Sequence, residues 1–127
     1  AFFRRQRQMC IRDSDISDEI AEKYKNAPYR APMIIILVNS FKEHPKVPAI
    51  EQKLSTATAA QNIMLALNAM KYSCIWRTGK LAFNKSIQKS IGLNENQEII
   101  GFIYVGTETG KKKQIPTLDI DEFVAYL

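Results

Sequence analysis

The sequence predicts one domain that combines helices with a small sheet. Residues 50–70 contain neither Gly nor Pro and are rich in Ala, Leu, Met and Gln, which favours one long helix. Residues 33–38 and 98–105 are almost continuously apolar, a pattern typical of strands that are buried on both faces. A chain of 127 residues can form one modest hydrophobic core.

The predicted elements alternate along the chain and end in a tail. Asn84 is placed to cap one short helix, and Gly92 is placed to end it. Ser17 is placed to cap another. The order is a helix at 15–25, a strand at 33–38, a polar loop at 39–48, the helix at 50–70, a strand at 73–77, a helix at 85–91, a strand at 98–105, a glycine- and lysine-rich turn at 106–113, and a short acidic helix or extended tail at 119–127.

Several classes of site are not expected. The cysteines, Cys10 and Cys74, lack metal-ligand spacing, and a single His44 argues against a histidine metal cluster or a catalytic triad. Walker A and GxGxxG patterns are absent, and the carboxylates suggest no acid–base pair. We therefore predict neither a metal site nor a catalytic side chain. No apolar run reaches membrane-spanning length, so we expect a cytoplasmic protein with free thiols and no membrane contact.

The positive charge is concentrated at the start of the chain. Residues 1–14 contain four Arg and one Asp, so they contribute +3 of the formal net charge of +5. They show no regular period and read like a translated sequencing adapter, and we expect a non-native or disordered tail there, with the domain at 15–127. The remaining +2 is ordinary, so a nucleic-acid partner is not expected.

Two turns could carry chemistry. Trp76, Arg77 and Thr78 combine a flat apolar ring, a cation and a hydroxyl, which could hold a planar anionic cofactor. The alternative is a core Trp beside a surface Arg. The run of lysines at 111–113 could grip a phosphate, and its alternative is a solvated turn.

Five segments in order resemble the nitroreductase family, closest to its small single-domain NAD(P)H-dependent members. Each segment alone is weakly specific for the family, whereas five segments in the family's order and with compatible spacing are fairly specific for it. They are NAPYRAP at 26–32, HPKVP at 44–48, EQ at 51–52, IWRTG at 75–79 and IGFIYVGT at 100–107.

The resemblance implies an α+β fold with a mostly antiparallel sheet flanked by helices. It also implies a homodimer that binds FMN at its interface and transfers a hydride from NAD(P)H to nitroaromatic, quinone or similar small acceptors. Trp76, Arg77 and Thr78 match the family's FMN-contacting segment, and Lys112 and Lys113 fall where basic residues approach the FMN phosphate. The stretch implied for the nicotinamide nucleotide is Ala66, Leu67, Asn68, Ala69, Met70 and Lys71.

The chain also departs from the family pattern. The family's N-terminal Arg-Arg-Ser motif and its Gln-Pro-Trp strand are absent, and Lys71 and Ser73 replace glycines. We therefore expect a partial domain that lacks the N-terminal helices and the first strand, with the activity of the truncated chain left open.

Two other functions remain as alternatives at this point. One is a non-enzymatic α+β module that offers a sheet edge to a partner, which FMN would not stabilise. The other, ranked last, is a weak nucleic-acid binder that uses Arg4, Arg5, Arg7 and the lysine turn, with strongly salt-dependent affinity.

Overall fold

The computed structural model describes residue 22, residues 25–110 and residues 114–125. They form a three-stranded antiparallel sheet with helices packed on both faces. The elements are β1 (Met33–Ser40), α1 (Ala49–Ala69), β2 (Ser73–Arg77), α2 (Gly79–Phe83), α3 (Lys85–Ser90) and β3 (Gln97–Gly106). Short 3₁₀ helices occupy Ala27–Tyr29 and Ile120–Glu122. The α+β class and the antiparallel sheet are therefore confirmed.

The last strand, β3, lies at the centre of the sheet. It pairs with β1 on one side and with β2 on the other, and both pairings are antiparallel. The register with β1 shifts at one point, where Leu37 lies opposite Gly101 and Val38 lies opposite Ile99. Ile100 is therefore an extra residue in β3, which makes a β-bulge beside Gly101.

The side chains of β3 alternate between two apolar clusters, one on each face of the sheet. Ile103 and Val105 pack with the cluster that includes Ala60 of α1. Phe102 and Ile99 pack with the cluster that includes Ala82 of α2 and Ile87 of α3. This two-sided burial is what the continuous apolar runs in β1 and β3 predicted.

Helix α1 ends in a Schellman motif, which turns the chain into β2. The Tyr72 N–H donates to the Leu67 carbonyl at 2.9 Å, and the Lys71 N–H donates to the Asn68 carbonyl at 2.9 Å. Lys71 has a φ of 66°, in the left-handed region that glycine favours. The Schellman motif thus connects α1 directly to β2, and it requires Lys71 to adopt a backbone conformation that is unfavourable for a residue with a side chain.

Most predicted elements agree with the structure to within two residues at each end. The Asn84 side chain caps α3 by accepting hydrogen bonds from the backbone N–H groups of Ser86 and Ile87, as predicted. Helix α2 was not predicted, because five residues are too few to show a helical period, and its burial of Leu81 and Ala82 is a tertiary effect.

Parts of the predicted first helix, the lysine turn and the extreme C-terminus lie outside the described residues. Residues 22, 25 and 26 are helical, and within the predicted tail Ile120–Glu122 form the second 3₁₀ helix. Among the helices that the structure describes, none is both long enough and apolar enough to cross a bilayer.

Candidate functional site

Strand β2 divides its side chains between the two faces of the sheet. Cys74 and Trp76 are half-buried and pack with the α1 cluster, whereas Ser73, Ile75 and Arg77 are exposed. This alternation is the ordinary period of a strand. The indole of Trp76 and the guanidinium of Arg77 therefore belong to different surfaces, although the two residues are adjacent in sequence.

Trp76 is packed against the bulge in β3. A Cβ atom added to Gly101 would lie 2.7 Å from Cδ1 of Trp76 and 3.1 Å from its Cε2, so only glycine leaves room for the ring there. The indole Nε1 of Trp76 is buried and has no hydrogen-bond partner among the described residues. A buried N–H without an acceptor is costly to the folded state.

On the other face, Arg77 lines an open groove of about 380 Å³. The groove crosses from the segment before β1, over the end of β3, to β2. Its lining residues are Arg30, Ala31, Ser73, Cys74, Ile75, Arg77, Tyr104, Gly106 and Thr107. No carboxylate is among them, so the charged side chains that line the groove, of the residues that the structure describes, are Arg30 and Arg77.

Tyr104 lies on the central strand between the two arginine-bearing segments. Burial raises the pKa of its hydroxyl above 10.0, while the positive charges of Arg30 and Arg77 act in the opposite direction and only partly offset that rise. Tyr104 therefore keeps its proton at neutral pH and can donate a hydrogen bond into the groove. Both guanidinium groups thus act electrostatically on this one phenol.

Thr78 and the C-terminal end of α1 have well-defined local roles. The Thr78 hydroxyl donates to the carbonyl of Ile100, at 3.3 Å, which ties the end of β2 to the bulge. Of the stretch predicted for the nicotinamide nucleotide, Ala66, Leu67, Asn68 and Ala69 form the last turn of α1, Met70 is its C-cap and Lys71 follows. Of these residues, Leu67 packs with the apolar cluster on the α1 face.

The remaining predicted site residues are not brought to the groove by any described element. Lys112 and Lys113 lie outside the described residues. The part of the chain that the structure describes also holds no group of three or more His, Cys, Asp or Glu residues arranged to bind a metal ion. Of the predicted FMN residues that the structure describes, Arg77 is thus the one that lines the groove.

Comparison with known proteins identifies the family of this chain. The sequence model of the nitroreductase family matches residues 2–107. This chain belongs to the nitroreductase family. It is 36% identical over 110 residues to YdjA of Escherichia coli K12, named as an NAD(P)H nitroreductase, and the match covers 86% of this chain and 60% of YdjA. The chain therefore spans about three fifths of that relative's length.

Solved structures show the same fold. The crystal structure of a nitroreductase-like family protein from Bacillus cereus superimposes with a TM-score of 0.70 and 20% identity, covering 88% of this chain and 62% of that one. The FMN and NADPH-dependent nitroreductase NfnB from sphigopyxis sp. strain HMH superimposes with a TM-score of 0.65 and 18% identity, covering 92% and 52% of the two chains. At these identities the similarity establishes the nitroreductase fold and nothing finer.

Two residues of the groove, Arg30 and Tyr104, were not identified from the sequence. Arg30 precedes β1, and Tyr104 lies within β3, so the two are 74 positions apart and meet only through the strand register. That register places Tyr104 opposite both Ile34 and Ile75. An antiparallel alignment of the three predicted strands could have identified both residues from the sequence, because it brings the start of β1 and the exposed face of β2 to Tyr104.

Proposed function

We propose that this nitroreductase family chain is part of an FMN-dependent oxidoreductase that takes a hydride from NAD(P)H and reduces nitroaromatic, quinone or similar acceptors. The observation that carries this proposal is the groove beside β2, where Arg77 of the predicted FMN segment shares a concave surface with a second arginine and a tyrosine. When bound, FMN supplies the redox chemistry, and the protein contributes position, charge and exclusion of water.

The donor set of the groove fits a flavin mononucleotide. Ile75 and the ring of Tyr104 offer apolar surface of the kind on which an aromatic ring system packs. The guanidinium groups of Arg30 and Arg77 offer the charge-assisted donors that a phosphate group needs.

Each predicted residue has a role in this proposal that follows from its chemistry. Arg77 binds the anionic portion of the cofactor. Thr78 fixes the end of β2 through its hydrogen bond to Ile100, which holds Trp76 and Arg77 in their orientations. Lys112 and Lys113 remain proposed contacts to the FMN phosphate, and the end of α1 remains proposed to meet the nicotinamide nucleotide.

We further propose that the functional unit is a homodimer. Helix α1 leaves large apolar side chains on the side away from the sheet, and Leu54 and Leu65 are 57% and 59% exposed. These two residues are three helical turns apart, so they lie on one face of α1. A second copy of this chain would cover that face, which is the oligomer that the family resemblance implies. Sedimentation of the chain with and without FMN measures this directly. The cytoplasmic location stays a prediction from the sequence.

Reduction of bound FMN by NAD(P)H tests the oxidoreductase function. The purified chain is incubated with FMN, desalted and mixed anaerobically with NADPH or NADH, and flavin absorbance is followed. We expect retained flavin that bleaches with at least one nucleotide and recovers its colour when a quinone or nitroaromatic acceptor is added. Free FMN at the same concentration is the control. A chain that retains no flavin contradicts cofactor binding, and flavin that is retained but never bleaches contradicts the reductase step.

A further inference from the structure

We propose that Arg30 and Arg77 act as a pair that binds a phosphate monoester in the groove, with the hydroxyl of Tyr104 as a third donor. Arg30 and Tyr104 are new assignments: both lie in segments that resemble the family, but neither is among the residues matched to a cofactor. The inference rests on the proposed function only in naming flavin and nicotinamide nucleotides as the carriers of that phosphate.

The charge of the groove selects the class of ligand. Two guanidinium groups line it, and among the described residues no acidic side chain lines it and no ion pair involves either arginine. A phosphate monoester carries about −1.5 to −2 charges at pH 7 and offers three acceptor oxygens. A single carboxylate would neutralise only one arginine, so the monoester is the better match in charge and in number of acceptors.

The geometry supports joint action rather than two separate surface charges. Arg30 and Arg77 come from segments on opposite sides of β3, and the groove joins them across Tyr104. Both positive charges stabilise the ionised form of this tyrosine. An anion that sits between them would lie beside the phenol, which remains protonated and can donate to it.

In each of two pairs of natural ligands, the members differ by one phosphate monoester. FMN differs from riboflavin in this way, and NADPH differs from NADH. Comparing the members of each pair therefore shows which ligand carries the phosphate that the groove binds. Dissociation constants are measured for all four ligands with the unmodified chain, Arg30→Gln and Arg77→Gln. The matched control is Lys46→Gln, which removes the same charge from the loop between β1 and α1, outside the lining of the groove.

We expect each arginine variant to weaken the phosphorylated member of one pair by about 10-fold and to leave its unphosphorylated partner within about twofold. Loss of the FMN preference assigns the site to the flavin phosphate, and loss of the NADPH preference assigns it to the nucleotide phosphate. Lys46→Gln should change neither ratio. If Arg30→Gln leaves both affinity ratios unchanged, that of FMN to riboflavin and that of NADPH to NADH, the inference is wrong.

A second readout keeps this inference separate from the proposed function. Phenyl phosphate should raise the thermal stability of the unmodified chain and of Lys46→Gln, and it should not stabilise Arg30→Gln. It should also raise the apparent pKa of Tyr104, since the anion offsets the two positive charges, and subtracting the titration of Tyr104→Phe isolates that residue. If flavin and nucleotide fail to bind while phenyl phosphate shows this dependence, the proposed function fails and the phosphate site stands. If phenyl phosphate has no Arg30-dependent effect and no ligand ratio changes, the site is overturned.

Discussion

Replacement of Gly101 by Ala tests the packing of the strand that carries the predicted FMN segment. Gly101 does not have a positive φ, so its backbone conformation accepts alanine. On backbone grounds alone, Gly→Ala stabilises a protein by about 0.4–1 kcal/mol, because it restricts the unfolded chain. The packing of Gly101 against Trp76 predicts instead that Gly101→Ala lowers the free energy of unfolding.

The structure gives the scale of that packing effect. The new methyl would overlap Nε1 of Trp76, its nearest neighbour, and would lie 2.7 Å from Cδ1, whereas ordinary contact begins near 3.4 Å, so the indole must withdraw by more than about 0.7 Å. Ile63, Met64 and Leu67 of α1 pack in the same cluster as this ring and limit its movement. Overpacking of this kind costs about 1–3 kcal/mol, which leaves a net loss of up to about 2.6 kcal/mol after the backbone gain.

Urea unfolding measures the effect, and Trp76, the only tryptophan in the chain, reports its own environment by fluorescence. Gly106→Ala is the matched control on the same strand, because among the described residues its new methyl would meet Pro32 alone, with a closest contact of 3.3 Å. It should change the free energy of unfolding by less than about 0.5 kcal/mol. In a Trp76→Leu background, followed by circular dichroism, Gly101→Ala should become neutral or stabilising. If Gly101→Ala stabilises the unmodified chain, the inferred contact between the bulge and the indole is wrong.

Three further predictions concern the elements around the site. Lys71→Gly should raise the free energy of unfolding by about 0.5–1 kcal/mol, because Lys71 has a φ of 66°, whereas Lys71→Ala removes the same charge and should give no gain. Asn84→Ala should lower it by about 1 kcal/mol through loss of the α3 cap, and Asn84→Asp should keep most of that contribution. Burial raises the pKa of Tyr104 above 10.0, so the unfolded chain loses this proton first as pH rises, and stability should fall from pH 10.0 up to the folded-state pKa. Urea unfolding across that range, with Tyr104→Phe as the reference, measures this slope, and equal slopes in the two proteins would contradict it.

The main elements could be predicted because their sequence signals are local. A Gly- and Pro-free run specifies α1, continuous apolar runs specify β1 and β3, and Asn84 specifies the start of α3. Helix α2 gave no such signal, because it forms where Leu81 and Ala82 pack on the sheet. The resemblance to nitroreductases supplied the family and the prediction of FMN, which no composition or spacing argument could provide.

The candidate site was only partly predictable because strand register assembles it. Trp76 and Arg77 are consecutive in sequence, yet the strand period sends one into the α1 cluster and the other into the groove. The core position of Trp76 is the alternative that the spacing had left open. Arg30 reaches the groove only because β1 and β2 both pair with β3, so its contribution depends on contacts between segments far apart in the chain.

The most direct test of the central claim is the dependence of unfolding free energy on FMN concentration. A ligand that binds only the folded chain stabilises it by mass action, by about 2.7 kcal/mol at 100 times its dissociation constant and by about 1.4 kcal/mol for each further tenfold increase. We predict this rise for FMN, with a smaller one for riboflavin at equal concentration. A free energy of unfolding that stays constant across the full range of FMN would contradict a flavin site in this chain and would favour the non-enzymatic alternative.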